Sequence, residues 1–91
     1  MALTAKERRE LLAASHPLKP LATVSAAEVS EAVVEHVRAG FTSRPLLKIR
    51  VAADNNNECD SVASELVRRV PCELVKRVGR VVVLYRAPAD E

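Results

Sequence analysis

At 91 residues with 48% apolar and 29% charged side chains, the chain has globular composition and room for one modest core, burying roughly 60 to 65% of its unfolded surface. No apolar run approaches the roughly 18 residues that span a bilayer, and the start MALTAKERRELL lacks the apolar stretch of a secretory signal, so the expectation is a cytoplasmic protein that folds on its own. Fourteen basic against twelve acidic groups give a net charge of +2. Because Asp90 and Glu91 lie beyond the last structural signal, the body is mildly more basic than that, which suits a polyanion partner without demanding one.

Thr4 and Glu7 stand at capping-box spacing and predict a first helix over about 5–15, stopped before Pro17 because proline disfavours a helical His16. His16-Pro17-Leu18-Lys19-Pro20 then reads as an extended connector. Leu21-Ala22-Thr23-Val24 is too short an apolar run for a helix and predicts a buried strand. The second helix carries Val29, Val33 and Val37 at helical spacing and is expected to end near Gly40.

From Pro45 the period changes. Leu47, Ile49 and Val51 alternate with Lys48 and Arg50, a strand with one apolar and one basic face. Asp54-Asn55-Asn56-Asn57-Glu58 is turn and cap chemistry, and Cys59, Val62, Ala63, Leu66, Val67 and Val70 form the stripe of a third helix that Pro71 stops. Residues 72–86 are rich in β-branched side chains and broken only by Gly79, which predicts two strands joined by a turn at 77–80. The order helix-strand-helix-strand-helix-strand-strand specifies an α/β domain with a four-stranded mixed sheet, occupying 1–87 and followed by a short acidic tail at 88–91.

Catalytic patterns are missing from this reading. The two glycines cannot build a phosphate cradle, the two histidines, His16 and His36, are isolated, and Cys59 and Cys72 have no metal-ligand spacing and read as core residues. No enzyme, cofactor, metal or small-molecule substrate is therefore expected. The basic residues are more informative: Arg8 and Arg9 on the first helix, Lys19 in the connector, Lys48 and Arg50 on one side of their strand, and Arg80 and Arg86 on one side of the last strand by their even spacing. A solvated mixed-charge surface would also account for each separately. With Phe41 and Tyr85 as the only aromatics, a stacking platform of the RRM or OB type is not expected, and any RNA contact would go mostly to phosphates and 2′-hydroxyls.

Several segments together resemble the YhbY family of CRM (chloroplast RNA splicing and ribosome maturation) proteins. They are Leu3-Thr4 with Glu7-Arg8, the connector His16-Pro17-Leu18-Lys19-Pro20, the strand Leu46-Leu47-Lys48-Ile49-Arg50-Val51, and the ending Val78-Gly79-Arg80-Val81-Val82-Val83-Leu84-Tyr85-Arg86. The resemblance implies an open α/β sandwich similar to the C-terminal domain of initiation factor three. It also implies a monomeric RNA-binding protein that associates with ribosomal RNA or a precursor particle of the large ribosomal subunit and acts in ribosome assembly. On that reading Arg8, Lys19, Lys48, Arg50, Arg80 and Arg86 are the candidate RNA-binding residues. The family's GxxG loop is replaced here by Ser25-Ala26-Ala27-Glu28, which has capping-box spacing and is expected to open the second helix, with Ser30 as the alternative start. The alternative function is a protein-interaction or assembly module that kept the fold and lost RNA binding.

Overall fold

The computed structural model describes residues 3–87, so the expected tail at 88–91 lies outside the described residues. In chain order the elements are α1 (Ala5–Ser15), β1 (Ala22–Ser25), α2 (Glu31–Ser43), β2 (Leu46–Ala52), α3 (Asn56–Arg69), β3 (Glu73–Val78) and β4 (Val81–Tyr85). The strands form one sheet in the order β1-β2-β4-β3, with β1 parallel to β2 and the other pairs antiparallel. The expected element order and mixed sheet are both present.

The alternation in β2 divides the molecule into two faces. Leu47, Ile49 and Val51 are buried with Val82 and Leu84 of β4, beneath Val34, Val37 and Phe41 of α2 and Cys59, Val62, Ala63 and Leu66 of α3. Burial of each large apolar side chain here contributes about 1.5–3 kcal/mol. Lys48 and Arg50 point to the opposite face, where α1 lies over part of the sheet and covers the buried Val75 and Val83.

Local chemistry sets the element ends. Thr4 accepts from the Glu7 amide and its own amide donates to the Glu7 carboxylate at 2.8 Å, so the expected capping box exists and that donated hydrogen bond holds Glu7 below its ordinary carboxylate pKa. Asn55 caps α3 by accepting from the Glu58 amide. Gly79, at φ +60°, takes the first place of the two-residue turn between Val78 and Val81, where no other described residue has a positive φ; this is the signature of a type II′ hairpin.

Two expectations for α2 are corrected. The helix begins at Glu31 with Ser30 as its cap, and residues 25–28 precede it: Ser25 is the last residue of β1 and its hydroxyl accepts from the Ala27 amide in a small local turn. Ser25 is still paired opposite Ala52, and its hydroxyl accepts from the Ala27 amide and not from that of Glu28 as a capping box would require. The far end runs through Gly40 to Ser43. A Cβ at Gly40 would lie 3.0 Å from methyl groups of Leu21 and Leu47, so this glycine allows close helix–sheet packing and does not end the helix. Replacing Ser30 with alanine should therefore lower unfolding free energy by about 1 kcal/mol, whereas Ser25→Ala should cost less than about 0.5 kcal/mol, read as urea midpoints at unchanged slope.

Candidate nucleic-acid interface

The six candidate cations fall into two groups. Arg8, Lys48 and Arg80 are built into the fold. From α1, Arg8 donates to the carbonyls of both Leu74 and Val75, where the register of β3 shifts against β4 and the backbone acceptors lose their regular ladder partners. Lys48 is half-buried beneath α1, with its ammonium 3.3 Å from the Ser15 carbonyl and 3.4 Å from that of Leu18, in the turn after the helix where the Leu18 amide also donates to Ser15. Arg80 reaches across the hairpin end to the β2–α3 turn and donates to the carbonyls of Ala53 and Asp54, each at 3.0 Å, and to the Asn56 side chain.

Lys19, Arg50 and Arg86 are exposed, and among the described residues none has a side-chain hydrogen bond or ion pair. Arg50 sits toward the far end of β2, beside Thr23, on the part of the sheet next to β1. Lys19 is at the near end, in the connector. There it lines a groove of about 430 Å³ together with Lys48 and Arg44, and no carboxylate is among the lining residues. Arg86 adjoins the same end, since its amide donates to Pro45 at 2.8 Å. The fold thus brings Lys19, Lys48 and Arg86 to one end of the sheet, keeps Arg50 toward the other, and fastens Arg8 and Arg80 to backbone carbonyls.

Arg44 was not among the sequence candidates. It is the extended residue between α2 and Pro45 (φ −144°, ψ 140°), and a cation before a proline at a helix-to-strand junction is the signal that marks it. The substituted loop is also held in place from below. Arg69 of α3 donates to the Val29 carbonyl at 2.5 Å and pairs with Glu31 at 2.6 Å, so the chain just after residues 25–28 is tied to α3, and Glu28 is exposed on that loop.

Both cysteines are free, burial pushes the Cys72 thiol up to about 11, and the described residues contain no cluster of three or more metal-ligating side chains. Among the described residues, no helix is long and apolar enough to cross a membrane.

Comparison with known proteins places this geometry in context. The family model for the CRS1 / YhbY (CRM) domain matches residues 3–86. The chain is 29% identical over 84 residues to the Bacillus subtilis protein named Probable RNA-binding protein YqeI, covering 92% of this chain and 88% of that one. It is 35% identical over 86 residues to Probable RNA-binding protein MJ0652 of Methanocaldococcus jannaschii, covering 92% of this chain and 63% of its relative. The solution structure of the hypothetical protein SAV1595 from Staphylococcus aureus superposes with a TM-score of 0.85 at 25% identity, over 97% of this chain and 92% of that one.

The fastening role of Arg80 has a measurable consequence. Arg80→Ala should lower stability by about 1–2 kcal/mol by leaving the β2–α3 turn carbonyls to solvent, and Arg80→Lys should recover only part because one ammonium cannot reproduce the guanidinium fork. Amide exchange at residues 56–58 should speed up in both variants.

Proposed function

We propose that this chain, which belongs to the CRS1 / YhbY (CRM) domain family, binds ribosomal RNA within precursors of the large ribosomal subunit and acts in their assembly in the cytoplasm, as a monomer and without catalysing a reaction. The observation that carries the reading is that the fold leaves cations unpaired at one end of the sheet. Lys19, Arg44 and Arg86 are exposed there with no ion pair among the described residues. Lys6, Arg9, Arg50 and Lys76 are also exposed and unpaired elsewhere, but Lys19 and Arg44 lie together in a groove whose lining holds no carboxylate. Arg86 adjoins that end and lines a second groove with Glu7 and Glu73. Arg38, Arg68, Arg69 and Arg77 are joined to Glu35, Glu65, Glu31 and Asp60. Exposed like charges repel one another, so their collection at one place is unfavourable unless an anion neutralises them.

Recognition of this kind reads backbone and shape. Phe41 is buried in the core and Tyr85 is half-buried, so neither presents a fully exposed ring on which bases could stack. Phosphate and 2′-hydroxyl contacts remain, as suits a structured ribosomal RNA. The relatives named above as RNA-binding proteins support the same assignment.

In a gradient of cell extract, the protein should travel with large-subunit precursor particles at low salt and leave them as salt is raised, because each phosphate contact releases counterions. Charge reversal at Arg86 should weaken that association at every salt concentration. Co-sedimentation that is indifferent to salt would instead favour the protein-interaction module.

A further inference from the structure

The groove at the start of β2 exists because two neighbouring strands differ in length. β1 pairs only with the second half of β2, from Ala22 opposite Ile49 to Ser25 opposite Ala52, and one further bond joins the Leu21 amide to the Lys48 carbonyl. Before Lys48, this side of β2 has no strand neighbour among the described residues. The connector turns away, α2 ends at Ser43, and the gap between them is the groove.

The ladder also determines which peptide groups face that gap. The Pro45 carbonyl and the Val51 amide bond toward β4, whereas the Lys48 carbonyl bonds toward β1. By alternation the amide and carbonyl of Leu46 point to the β1 side, where no strand meets them. One donor and one acceptor, the N–H and C=O of the single residue Leu46, therefore lie among Lys19, Arg44 and Lys48, with Ser43 also lining the groove. The volume of about 430 Å³ falls within the roughly 300–1,000 Å³ range of small-ligand clefts.

Resting on the RNA-binding reading above, we propose that this groove is the subsite that holds the RNA backbone, with Lys19 and Arg44 binding phosphate and the backbone N–H and C=O of Leu46 pairing with a ribose 2′-hydroxyl. A 2′-hydroxyl both donates and accepts, and so matches those two backbone groups, which a deoxyribose could not satisfy. Lys48 contributes positive potential from the groove wall while its ammonium stays on the carbonyls of Ser15 and Leu18. The grip then lies about 20 Å of strand away from residues 25–28, where Glu28 would repel a phosphate.

The test uses the full chain and a fluorescein-labelled RNA hairpin, with the DNA hairpin of the same sequence as comparison. Lys19 and Arg44 are both exposed, and Lys19→Ala with Arg44→Ala should leave the melting temperature near that of the wild type. The double variant should lose roughly ten- to a hundredfold in RNA affinity and flatten the log–log salt slope by about 1.4–1.8. Arg50→Ala, at the other end of β2, should change affinity less than about threefold. A double variant that binds like wild type overturns the groove and leaves the RNA reading standing, whereas a wild-type chain that ignores the hairpin at low salt overturns both. Equal affinity for RNA and DNA removes the 2′-hydroxyl contact. Displacement of the hairpin by uridine monophosphate at concentrations comparable to competing hairpin would make the groove a free-nucleotide site and overturn its assignment to an RNA chain.

Discussion

The register of β2 is the constraint on which the rest of the molecule depends. With a side-chain period of two, a slip of one residue would turn Leu47, Ile49 and Val51 away from α2 and α3 and drive Lys48 and Arg50 into the core. Desolvating two unpaired cations costs far more than a domain of this size can spare, so one pairing is strongly selected. Once it is set, Ile49 stands between Ala22 and Val82, and both neighbouring strands take their positions from it.

Positive charge serves two purposes in this chain. Arg8, Lys48 and Arg80 each reach carbonyls at places where regular pairing fails: a shifted register, a helix end and a strand-to-helix turn. At such sites a long side chain with several donors replaces hydrogen bonds that water would otherwise supply. Lys19, Arg44, Arg50 and Arg86 remain exposed. Residue type and spacing are alike in the two groups, and only the path of neighbouring backbone separates them.

That distinction explains what was legible in the sequence. The bounds of α1, the stripe of α3 and the alternation in β2 are local properties, and they appear in the structure as read. Ser25 to Glu28 matched a capping box more fully than Ser30 to Val33 does, yet Ser30 caps α2: the Ser25 hydroxyl turns to the Ala27 amide, and Arg69 draws the Val29 carbonyl toward α3. Gly40 looked like a stop for want of knowing how near Leu21 and Leu47 would come. Arg80 and Arg86 were paired by parity on one strand, but β4 stops short of both, and the long reach of Arg80 to residues 53–56 has no local signature. Lys48 looked solvent-facing because the pattern of α1 does not reveal which face of the sheet it covers.

The shifted register of β3 matters beyond this one chain. β3 is an outer strand of the sheet, and an outer strand offers its backbone to any extended segment that drifts alongside it. Here the offer is spoiled at mid-strand. The irregularity between Leu74 and Lys76 breaks the even spacing that a guest strand must match, and Arg8 already occupies the carbonyls of Leu74 and Val75. In a crowded solution of identical molecules, that clasp discourages them from zipping together sheet to sheet into fibres.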